Sequence, residues 1–504
     1  MKTRFHFSGK WDDYIRTLRQ FTLDELLTKI NEESTKILFK ENKDQVNALK
    51  RVTVPIMNLA TNQQMKDEVL VSAWQLIDLA YNAIVATNDY RGKTPTNEDL
   101  YLLCAETNAL LEEREKLYLN DISGKPQFFL YLWGFTGEQF KMQGISSIFQ
   151  NAARDLYILL GMPRTDDTFD IPEIIKKETG VSWIVLISAL FLAWFAFTHD
   201  NSLKALKESV LWDDEFKQTD FEKVIERYTI TYNEIRESSL KRQVLYTRPF
   251  IRTQRRSIIA VNSYLNLFIY EHCALWTLRD HYKKQNSGEF FNIFGSLFET
   301  YFRELLETYV EKSHYERIEE NKKEERADWR IKLCKHSFLI EQKSAIVSLA
   351  AKQQESNYID TEKFCKNTII KALHQLETTE KALGDAKYIK IILLYEDYFI
   401  PEILDYVFQL SECDVENDHY YWIVTIDEME KLLHMYKNDK HVFSKIIQEK
   451  ICRETENSKN GKRLQILFSE NKVVDNEYLK QEKIKQYAKA AENFIRRKLP
   501  HPTN

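Results

Sequence analysis

The stretch Ala327-Asp-Trp-Arg-Ile-Lys-Leu-Cys-Lys-His-Ser-Phe-Leu-Ile-Glu-Gln-Lys-Ser344 decides how the C-terminal part of this chain reads. Side chains along a strand alternate between its two faces. On a first strand, near 327–334, Asp328, Arg330 and Lys332 share one face, while Trp329, Ile331 and Leu333 turn the other way, into a core. On a second strand, near 337–345, Leu339, Glu341 and Lys343 share a face. A hairpin turning near Cys334-Lys-His-Ser337 sets Asp328 opposite Glu341 or Lys343, depending on where the turn is centred. Directly opposed residues have Cβ atoms ~5 Å apart, so two carboxylates and a lysine converge on one patch. The charges at Glu341 and Lys343 interrupt an otherwise apolar strand, where a merely buried strand would avoid them.

Two carboxylates that close repel each other and disfavour folding unless a cation joins them. A hard oxygen site of this kind suits Mg²⁺, with Mn²⁺ as a substitute, because such ions keep several waters and bind phosphate oxygens. The adjacent lysine has two uses: acting on the attacking water, or offsetting charge that builds on a phosphate. That is equipment for hydrolysing a phosphodiester.

Working outward, a polar stretch after His281 reads as a linker. A helix follows near 294–311, then the two strands, then a helix near 362–383. Tyr388-Ile-Lys-Ile-Ile-Leu-Leu-Tyr reads as a strand leading into a helix that begins at Pro401. Tyr420-Tyr-Trp-Ile-Val-Thr-Ile reads as another strand, followed by a helix with Asp427 as its cap and Glu430 three residues on. The order is αββαβαβα.

This arrangement resembles the PD-(D/E)XK superfamily, the restriction-endonuclease-like nucleases. The resemblance covers about 290–450 and implies an α/β domain with an αββαβ core, a mixed sheet flanked by helices. It implies that Asp328 and Glu341 hold the metal with help from the Gln342 carbonyl, and that Lys343 acts on the attacking water. It also implies that Glu299 supports the metal or its waters, and that Gln375 positions the substrate or the lysine. Ala327 departs from the pattern, standing where the name-giving proline would be; that position is loose in the family. The expected function is therefore a Mg²⁺-dependent endonuclease, with DNA ahead of RNA as substrate, in bacterial anti-phage defence or restriction. The alternative is a non-catalytic nucleic-acid- or protein-binding protein whose acidic cluster is structural.

The rest of the chain reads differently. Its 504 residues, 43% of them apolar, are enough for a large core and more than one domain. Only 12 are Gly and 9 are Pro, too few to turn an all-β chain every 8–12 residues or so. Residues 1–285 therefore read as a mainly α domain for recognition or regulation, with helical spacing over 65–87, 97–119 and 138–161. Residues 286–450 read as the nuclease domain and 451–504 as a charged, mostly helical extension. Val181–Phe197 carries no charge; at seventeen residues it falls short of a full span and reads as the buried central helix of the N-terminal domain.

Lys241, Arg242, Arg248, Arg252, Arg255 and Arg256 form a basic window that has no acidic residue inside it. It suggests a short hairpin or extended arm either side of Pro249. Arg248, Arg252, Arg255 and Arg256 are its candidate phosphate contacts. With a net charge of −5, any nucleic-acid surface has to be such a local patch. The six scattered cysteines form no CxxC pair, which excludes a zinc ribbon and points to reduced thiols in the cytoplasm. Gly124-Lys125 and Gly461-Lys462 lack the partner glycine of a phosphate-binding loop. The expected partners are nucleic acid, an activating partner or phage trigger acting on the N-terminal domain, and a second copy of the chain.

Overall fold

The structure is a computed structural model. It describes residues 10–40, 49–57, 64–87, 92–120, 148–163, 170–209, 211–285, 287–319, 324–346, 358–384, 387–396, 421–456, 464–473 and 475–499. Most of these residues are helical. The helix expected from Pro401 and the part of the 138–161 helix before Ile148 lie outside them.

Among the described residues, ten strands appear in three sheets. In the N-terminal half, β1 (Leu49–Met57) and β2 (Gln64–Ser72) pair as an antiparallel hairpin. The short strands β3 (Thr229–Thr231), β4 (Phe250–Arg252) and β5 (Ile258–Ala260) form a small mixed sheet. These strands stand within a region that is otherwise mainly α, as expected, and β2 corrects the helical spacing read over 65–87. In β2, Val69 and Val71 are buried while Leu70 is 41% exposed, a period of two and not of 3.6. The helical spacing over 65–87 had merged this strand with the helix Ala73–Ala86, which a capping box between Ser72 and Gln75 begins. The basic window is corrected as well: Val244–Thr247 is helical, and the hairpin is β4–β5, wholly after Pro249.

The C-terminal half is built on a five-stranded mixed sheet in the order β10-β9-β8-β7-β6. Its strands are β6 (Tyr315–Arg317), β7 (Trp329–Leu333), β8 (His336–Lys343), β9 (Ile389–Leu394) and β10 (Tyr421–Thr425). β6, β7 and β8 run antiparallel; β8, β9 and β10 run parallel. β6 is a strand the sequence reading did not include. Six consecutive buried residues in β9 fit a central parallel strand covered on both faces. Helix Glu289–Tyr309 covers the face that carries Trp329, stacking Phe302 edge-on to its ring. Helix Lys371–Leu383 covers the face that carries Glu341 and Lys343. The helix after β10 is capped by Thr425, boxed with Glu428, and not by Asp427. Asp427 instead pairs with Arg154 and Lys431.

Two buried apolar clusters run through the chain. One joins residues of 14–104 to Trp194 and to residues of 230–268; the other runs from Ala152 to Ile495 and includes the five-stranded sheet. The expected boundaries at 285 and 450 fall inside the second cluster. Helix Trp183–His199 carries the uncharged run and is largely buried. It packs against Ser263–Lys284 and Ala490–Arg496. Among the described residues, no single helix is long and apolar enough to cross a membrane.

Candidate active site

The β7–β8 hairpin closes through a two-residue turn at Cys334 and Lys335, with Leu333 paired to His336. Cys334 takes a φ of 53°, the left-handed backbone that such tight turns use. The paired register ends at Trp329 opposite Ile340, and just beyond it the side chains of Asp328 and Glu341 lie close enough to interact. Two bonds fix the approach to Asp328. The Ala327 N–H donates to Thr379 Oγ1 at 2.7 Å, and the Asp328 N–H donates to the Ile340 carbonyl at 3.0 Å. Of the two sequence alternatives, the hairpin therefore takes Glu341 as the partner of Asp328.

Glu341 is only 3% exposed. Its Oε1 accepts a bond from Lys343 Nζ at 2.6 Å. Its Oε2 is buried with no hydrogen-bond partner. Burial pushes its carboxyl up to about 8, and the neighbouring Asp328 carboxylate pushes the same way. Asp328 is raised too, again by burial first, although the Gln342 N–H, Arg317 and Lys343 hold it down.

Asp328 Oδ2 accepts the Gln342 backbone N–H at 2.7 Å. In a strand, the N–H and C=O of one residue point to the same edge, so the Gln342 carbonyl is also aimed toward the Asp328 side. The Gln342 side chain turns to the opposite face, where Trp329 Nε1 donates to it at 2.7 Å. Lys343 Nζ has a second partner, Gln375 Oε1, at 2.7 Å. Asp328, Glu341, Lys343 and Gln375 thus form one continuous polar cluster.

Glu299 joins this cluster only at one remove. It pairs with Arg303 and with Arg317, at 3.1 and 2.9 Å. Arg317 in turn pairs with Asp328 Oδ1 at 3.1 Å. Arg317 is the residue the sequence reading missed. Its signal was slight, one arginine at the end of the three-residue strand β6.

The basic window splits. Arg248 pairs with Glu234 at 3.1 Å, and Arg252 pairs with Glu226. Arg242 is buried and pairs with Asp78. Arg255 and Arg256 are exposed in the β4–β5 turn, with Arg256 at a φ of 61°.

Among the described residues, no group of three or more His, Cys, Asp or Glu side chains is arranged to hold a metal ion. The cluster offers two carboxylates and a backbone carbonyl, and Mg²⁺ commonly binds through one or two carboxylates with waters completing its shell. A cation would satisfy the partnerless Glu341 Oε2 and offset the two raised carboxyls, so these residues fit one. Comparison of the chain with protein-family models, with curated proteins and with solved structures finds no match.

Proposed function

We propose that the chain is a metal-dependent endonuclease that hydrolyses phosphodiester bonds at Asp328, Glu341 and Lys343, with DNA as its substrate. The observation that carries this reading is the buried Glu341 carboxyl beside Asp328, with Lys343 on Oε1 and no hydrogen-bond partner on Oε2. A purely structural ion pair would not bury an unsatisfied carboxylate oxygen beside a second acid. Asp328, Glu341 and the Gln342 carbonyl would hold Mg²⁺ or Mn²⁺. When bound, the ion supplies positive charge for the carboxylates and a Lewis acid for a phosphate oxygen.

The chain's own groups supply the rest. Lys343 orients the attacking water and offsets the charge that grows on the phosphate oxygens. Gln375, bonded to Nζ, keeps the ammonium group over the site. Glu299 acts through Arg317, which fixes one oxygen of Asp328. The sheet and helix Lys371–Leu383 bury Glu341, and that strengthens its charge interactions. A helical portion of this size beside such a site fits a nuclease gated by a trigger, as in anti-phage defence or restriction; that role is an analogy.

The test is cleavage of supercoiled plasmid, single-stranded DNA and RNA by the purified chain, with Mg²⁺, with Mn²⁺ and with EDTA. Metal-dependent nicking that Asp328→Ala and Lys343→Ala each abolish is the expected result. Cleavage that survives in both variants, or in EDTA, overturns the assignment.

A further inference from the structure

Tyr395 follows β9 directly and is buried. Its backbone N–H donates to the Lys343 carbonyl at 3.2 Å. Its ring stands edge-on to Phe294 and Phe298, with centroids 4.7 and 5.5 Å apart. Its hydroxyl donates to Oδ1 of Asp155. Asp155 is 3% exposed and lies on helix Ile148–Leu156, far from the sheet in sequence. Its other oxygen is 2.8 Å from His272 Nδ1.

Arg154, the residue before Asp155, is also buried and pairs with Glu430 at 2.6 Å and Asp427 at 3.0 Å. Two successive side chains of opposite charge therefore fasten one N-terminal helix to the α/β part at two points. His272 lies on helix Ser263–Lys284, which passes from one apolar cluster to the other: Leu265 and Phe268 belong to the first, Ile269 and Cys273 to the second.

We propose that Asp155 and Tyr395 are positioning residues for Lys343, and that through them the helical half of the chain sets the activity of the site. This inference rests on the nuclease reading. Lys343 ends β8, so its main chain is held on the β9 side by Tyr395 while its ammonium group is held by Glu341 and Gln375. Removing the Asp155 carboxylate leaves the Tyr395 hydroxyl buried and unpaired, and the segment shifts to escape that cost. A shift at the root of the lysine stem misplaces Nζ. Misplacement by about 1 Å costs up to ~100-fold in rate. Asp328 and Glu341 are anchored separately, by the hairpin, so metal binding is spared.

The test compares Asp155→Ala, Tyr395→Phe and Asp155→Asn in the full chain. The expected result for the first two is a roughly ten- to hundredfold loss of kcat on plasmid, with KM and the Mn²⁺ Kd unchanged. Asp155→Asn should recover most of the loss, because the amide still accepts from Tyr395 and can donate to His272. Amide hydrogen exchange supplies a readout independent of activity: residues 343–346 and 389–396 should exchange faster in Asp155→Ala, and the β6–β7 pair should not. Wild-type kcat in Asp155→Ala overturns the proposal, as does an equal loss in Mn²⁺ binding. If the wild type cleaves nothing, the nuclease reading falls, and exchange alone then decides the link: unchanged rates in both segments overturn it.

Discussion

Replacing Glu341 by Gln should stabilise the metal-free protein in alkali and do little near pH 5. The folded chain raises this carboxyl from its ordinary 4.5 to about 8. Between those values the folded chain keeps a proton that the unfolded chain has lost. Stability then falls as pH rises, by up to ~1.4 kcal/mol per pH unit, and levels off above 8. The ceiling is roughly 4–5 kcal/mol. Gln has nearly the same shape and no proton to lose, so it escapes this penalty. It also takes the charged partner from Lys343, which forfeits about 1–2 kcal/mol. The expected net gain is roughly 2–4 kcal/mol at pH 9, or about 3–6 °C in the unfolding midpoint if the core from Ala152 to Ile495 unfolds as one unit. Thermal unfolding in EDTA from pH 5 to 9 measures it. Adding Mn²⁺ should reverse the order of the two proteins, because Gln brings no charge to the cation. If Glu341→Gln is less stable at every pH and Mn²⁺ changes neither protein, then Glu341 and Lys343 are a structural ion pair and the reasoning fails.

Three further outcomes are expected. Calorimetric titration should show Asp328→Ala losing Mn²⁺ affinity, whereas Lys343→Ala binds the ion as well as wild type or more tightly, since a nearby positive charge is gone. Arg255→Ala with Arg256→Ala should weaken DNA binding at low salt and flatten the slope of log K against log salt by up to ~1.8, read by fluorescence anisotropy; an unchanged slope makes the β4–β5 turn a solvated tip. Arg154→Ala should lower stability by about 3–5 kcal/mol in urea unfolding, because it strands the fully buried Glu430 without its cation. A loss below ~1 kcal/mol would mean that Tyr301 and Asn476 hold that carboxylate unaided.

The hairpin was legible because its information is local. Alternation over Asp328–Leu333 and Leu339–Lys343 fixes which side chains share a face, and a two-residue turn fixes which ones meet. The positions of Glu341, Lys343 and Gln375 in one cluster follow from that pattern and one helix. β1 and β2 were not legible as strands: their apolar residues also satisfy helical spacing, and pairing with each other across a turn settles the choice. Asp155 and Tyr395 meet across 240 residues, and no local pattern announces a contact of that range. Asp427 illustrates a different failure. It stands at the right place for a cap, but Thr425 begins the helix two residues earlier, leaving Asp427 for Arg154 and Lys431.

The packing of helix Ala490–Arg496 against Trp183–His199 has a consequence for how the protein is made. The covering helix is encoded roughly 290 residues after the apolar one it covers. At about 5–20 residues per second, a ribosome needs some 15–60 s to bridge that interval. For that time the most hydrophobic segment of the nascent chain lacks part of its native lid, while the strands around Asp328 and Lys343 have already emerged. The order of synthesis thus leaves this apolar helix to be covered late, after the sheet strands have been made.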